Sequence, residues 1–61
     1  MTKKVYFIEN SSNLEDTLTL IENKFPCFLK RNLIEMNYSE VIIEARNEDI
    51  RSIEGLLAPL V

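Results

Sequence analysis

The 61-residue sequence predicts a small α+β domain in the order β-α-α-β-α, with a two-stranded sheet and helices packed on one of its faces. Three observations predict it. Val5-Tyr6-Phe7-Ile8 is β-branched and aromatic, apolar on both faces. Residues 12–25 carry a helix-start pattern and a helical apolar stripe. Residues 40–45 alternate apolar and acidic, and a second helix-start pattern follows them.

The first strand ends at Glu9-Asn10-Ser11. Ser12 with Glu15 three residues on has the spacing of a capping box, and Asp16 adds a carboxylate at the positive end of the helix dipole. Leu14, Leu18, Ile21 and Phe25 follow at helical spacing, so one side of this helix is apolar. Pro26 pushes Phe25 out of the helical region and places the helix end near Lys24.

Proline is comfortable in a first helical turn, and Phe25, Phe28, Leu29, Leu33 and Met36 continue with helical spacing. The expectation is a second helix over residues 26–36. A strand over Phe28 to Met36 is the alternative. Asn37-Tyr38-Ser39 reads as a turn. In the strand over residues 40–45, Val41, Ile43 and Ala45 share one face, and Glu40, Ile42 and Glu44 share the other. Asn47 is expected to cap the last helix, with Glu48 and Asp49 in its first turn. Ile50, Ile53, Leu57 and Leu60 form its stripe, with Leu56 beside it, and Pro59 ends it. No linker or repeat divides residues 1–61, which read as one domain.

Two strands joined by a helical crossover are expected to run parallel. The element order resembles half of a ferredoxin-like arrangement, and that resemblance carries no function with it. A two-stranded sheet is marginal alone. One cysteine, Cys27, allows no internal disulfide, and without histidine the chain lacks the usual ligands of a structural zinc. Good packing or association with another chain remains, so a homodimer or larger assembly is expected to complete the sheet.

Catalysis has few candidates. Histidine, the commonest acid–base group, is absent, and the lone glycine, Gly55, sits inside a helix rather than in a phosphate loop. No enzyme activity and no cofactor are expected. Cys27 reads as a small buried hydrophobe rather than a nucleophile. Glu40 and Glu44 lie four residues apart on a strand, hence about 13 Å apart, too far to share a metal ion. Metal binding is not expected either.

The expected function is non-enzymatic protein interaction by a regulator or inhibitor that covers a surface of a larger protein. Brevity suggests a phage or mobile-element accessory protein acting on a host factor. The candidate interface is Tyr6, Ile8 and Ile42 on the strands, Lys30 and Arg31 in the only basic stretch, and Leu56 and Leu60 on the last helix. A homodimeric sensor of a small ligand is one alternative. A nucleic-acid-binding regulator using Lys30 and Arg31 is another, disfavoured by the net charge of −3. The basic start is followed by an apolar run of only four residues, too short for a secretory leader or a membrane span. A cytoplasmic location is expected, that of the host if the chain is phage-encoded.

Overall fold

A computed structural model describes residues 1–61. The elements are β1 (Thr2–Glu9), α1 (Ser12–Lys24), β2 (Cys27–Leu33), β3 (Tyr38–Ala45) and α2 (Asn47–Leu57), closed by a 3₁₀ turn over Ala58–Leu60. The fold is α+β: a three-stranded antiparallel sheet in the order β1-β3-β2, with two helices.

This corrects two expectations. Residues 26–36 do not form a second helix. Cys27–Leu33 is a strand, so the sheet has three strands and the order is β-α-β-β-α. Nor do the two expected strands run parallel. β3 pairs antiparallel with both neighbours, Tyr6 opposite Val41 on one side and Arg31 opposite Val41 on the other. β1 and β2 are therefore the parallel pair, joined by the α1 crossover, and β3 is inserted between them.

Local chemistry explains the boundaries. Ser11, not Ser12, caps α1: its Oγ accepts the Leu14 N–H at 3.2 Å. Glu15 is thereby free of the cap and reaches Arg31 instead, at 3.4 Å. The helix ends where Phe25 turns extended ahead of Pro26, with its N–H donating to the Ile21 carbonyl. Arg46, not Asn47, is the N-cap of α2 and makes no side-chain cap bond; Asn47 bonds the Thr2 hydroxyl instead.

Ten apolar residues are buried between the helices and one face of the sheet: Ile8, Val41, Ile43 and Ala45 from the strands, Leu14, Leu18 and Ile21 from α1, and Ile50, Ile53 and Leu57 from α2. The accessible surface is 4176 Å². A folded monomer of 7.1 kDa scales to about 4,100 Å². The surface is thus that of an ordinary folded monomer of this mass.

Candidate protein interface

Both helices lie on one side of the sheet, because the buried strand residues all share one parity on each strand. The other side is bare. Pairing register fixes its rows: Lys3, Glu44 and Phe28 across the first, Val5, Ile42 and Lys30 across the second, Phe7, Glu40 and Asn32 across the third. Glu9 and Tyr38 make a fourth. Phe7 is 60% exposed and Phe28 66%, and Val5 and Tyr38 are also exposed. Ile42 is half-buried between Val5 and Lys30. The β2–β3 turn adds exposed Ile34 and Met36 at one end; Leu33, the last residue of β2, is exposed too but opposes buried Ser39 and so has the helix-side parity.

The face is mixed in charge. Lys3 and Lys30 oppose Glu9, Glu40 and Glu44. Asn32 Nδ2 donates to Glu40 Oε1 at 3.1 Å, which fixes that carboxylate among the apolar groups.

Of the residues singled out from the sequence, only Ile42 and Lys30 stand on this bare face. Ile8 is 0% exposed and belongs to the core, so it is no contact residue. Tyr6 points the same way as Ile8, is half-buried against the core, and its hydroxyl donates to Glu54 Oε2 on α2 at 3.0 Å. Burial first, then the Glu54 hydrogen bond and charge, push the Tyr6 phenol up to about 12. Leu56 and Leu60 pack on the core as half-buried residues and are not a free stripe.

Arg31 is drawn inward as well. Its Nε donates to Ser39 Oγ at 3.1 Å and its Nη2 to Asn10 Oδ1 at 3.0 Å, while Nη1 faces Glu15. Ser39, wholly buried, also bonds Asn10, and Asn10 donates through Nδ2 to the Met36 carbonyl at 3.3 Å. This network ties the β1–α1 loop, the α1 first turn, β2 and the β2–β3 turn together. Arg31 is spent on structure, and because Lys30 faces the opposite side, the basic stretch does not act as one patch.

Val5, Phe7 and Phe28 are the surface residues that the sequence reading passed over. The one signal available for β1 was Glu9, which shares the parity of Val5 and Phe7; Lys3 and Lys4 charge both parities at the other end.

Cys27 opens β2 on the helix side, half-buried. Burial, then the Glu22 and Asp49 carboxylates, push its thiol up, which disfavours the thiolate. The chain encloses no cavity, and nowhere do three acidic or cysteine side chains converge on a point. No helix is long and apolar enough to cross a membrane.

Comparison of the chain with protein-family models, curated proteins and solved structures finds no match.

Proposed function

We propose that this chain is a non-enzymatic interaction module that regulates or inhibits a larger protein by docking the bare face of its sheet upon it. One observation carries the reading: both helices cover the same side, leaving Val5, Phe7, Phe28 and Ile42 on an uncovered sheet surface. Contiguous apolar surface rimmed by polar groups is the usual anatomy of a protein contact. Glu40 and Glu44 stand in the middle strand among those residues. A matching partner presents apolar side chains flanked by lysine or arginine.

Full overlap of two such faces across a twofold lays β3 over β3 and sets Glu40 and Glu44 against carboxylates of the other copy. The charge pattern therefore favours a different protein on this face.

A second reading has its own observation. Phe7, Phe28 and Tyr38 are aromatics on an open sheet, a surface on which unpaired bases can stack. Against it, three carboxylates outnumber two ammonium groups there, and phosphate is repelled.

The test is affinity capture from the native source with the wild-type chain and with Phe7→Lys and Phe28→Glu. Leu20→Lys, an exposed apolar position on α1, serves as the control. Partners held by wild type and the control, and lost from both face variants, support docking through the bare face. Partners held equally by all four chains refute it. Retained nucleic acid that is released steeply by salt favours the second reading.

A further inference from the structure

The outer edge of β1 pairs with nothing, although its inner edge pairs with β3 along all of Thr2–Glu9. An edge strand this long offers a row of free N–H and C=O groups. We propose that β1 pairs antiparallel with β1 of a second copy, in the register that sets Lys3 opposite Glu9 of the other chain.

The register follows from parity and charge. Directly opposed residues of an antiparallel pair lie on the same face, so their numbers must sum to an even value. A sum of 10 sets Lys3 against Phe7 and Val5 against Val5, with no opposite charges paired. A sum of 14 leaves only a short overlap, centred on Phe7. A sum of 12 centres the twofold on Tyr6 and pairs Lys3 with Glu9 and Val5 with Phe7, each twice. Opposite charges and an aliphatic–aromatic contact are the favourable cross-strand pairs. The strand is basic at its start and acidic at its end, and antiparallel pairing with itself brings those ends together.

The helix side accommodates this. Lys4 points towards the helix layer, since it opposes buried Ile43, yet it is exposed. The helix layer therefore leaves the β1 edge open at Lys4, while it covers Ile8 and part of Tyr6.

The other edge does not compete. β2 centres on Lys30, so self-pairing there in the register of full overlap sets lysine against lysine, and Pro26 removes a donor just before its start. Pairing consumes both β1 edges and leaves two blunted β2 edges, which gives a closed dimer rather than a fibre. The product is a six-stranded sheet whose bare side joins Val5, Phe7 and Ile42 of both copies. The pairing rests on the strand edge and holds whether or not anything docks on that side.

The experiment is light scattering after size exclusion, over a range of concentrations, with circular dichroism to confirm folding. Wild type is expected to be a dimer. Lys3→Glu and Glu9→Lys each place like charges opposite one another twice and should weaken the dimer about 30-fold. The double variant Lys3→Glu/Glu9→Lys restores the pairs and should recover the dimer to within about threefold. Phe28→Glu, on the bare face and away from β1, should leave the dimer intact, even though it is designed to abolish docking. A monomeric wild type overturns the proposal. So does a double variant no better than the singles, or single charge changes without effect. A dimer lost with Phe28→Glu overturns it too, because the copies would then meet through their faces.

Discussion

Tyr6 stands at the boundary between the core and the β1 edge, and its protonation reports on that boundary. The phenol is raised from 10.0 to about 12 by burial and by Glu54. The unfolded chain ionises first, so the neutral phenol's contribution to stability is whole below pH 10 and is lost as pH rises through 12. A Tyr38→Phe chain leaves Tyr6 as its only tyrosine. Its ultraviolet titration should fall near 12, and Glu54→Gln should move it towards 10. A Tyr6 that titrates at 10 in the folded chain would contradict both its burial and the Glu54 contact. Arg31 makes a second residue-scale prediction. Hydrogen bonds to a charged group are worth about 1.5–3 kcal/mol, while an ion pair to an exposed carboxylate is worth up to about 1 kcal/mol. Arg31→Ala should therefore cost about 2–3 kcal/mol in urea unfolding, through Ser39 and Asn10. Glu15→Gln should cost under about 0.5 kcal/mol. Equal costs would show that the ion pair, not the buried network, holds β2 to the β1–α1 loop.

Among the elements, α2 carries a correctable weakness. Gly55 lies within the helix, has no positive φ, and a Cβ placed there meets nothing within 4 Å. Gly55→Ala should stabilise the chain by about 0.5–1 kcal/mol, since glycine only adds backbone entropy to the unfolded state. A loss of stability would mean that the position is needed bare. The elements also differ in how legible they were. α1, β3 and α2 announce themselves through one apolar side each, and the helices also through a following proline, although both caps lie one residue earlier than expected and β3 starts at Tyr38, inside the expected turn. β2 does not, because both of its sides carry apolar groups. Leu29 goes inward and Phe28 outward, and Arg31 goes inward to serve Ser39. With Met36 in the following turn, the set Phe25, Phe28, Leu29, Leu33, Met36 imitates a helical stripe. What decides for a strand is tertiary: β3 offers an unpaired edge, which no local pattern in residues 26–36 records. The choice of face on β1 was likewise hidden inside Val5-Tyr6-Phe7-Ile8, where Lys3 and Lys4 charge both faces and only the flanking Glu9 breaks the symmetry.

At the scale of the whole molecule, the ordinary surface area separates folding from association. A short chain without disulfide or metal is often completed by its partner, yet here the core closes on itself with Ile8, Ile43, Ile53 and Leu57 essentially excluded from water. The monomer should then fold alone, and pairing through β1 should add stability without being required for it. A folded dimer that dissociates on unfolding melts higher as protein concentration rises, by a few degrees per tenfold for a domain of this size. The wild-type chain should show that rise. At concentrations below its raised dissociation constant, Lys3→Glu should melt cooperatively at a midpoint independent of concentration, with native circular dichroism below it. An unfolded Lys3→Glu chain, rescued only by Glu9→Lys in the same molecule, would mean that the β1 edge belongs to the folding unit itself and that the surface area conceals an obligate dimer. Cooperative melting of the single variant, together with rescue of dimerisation by the double, would instead make the edge a separable device: it sets how many bare faces are presented together, while each chain supplies its own fold.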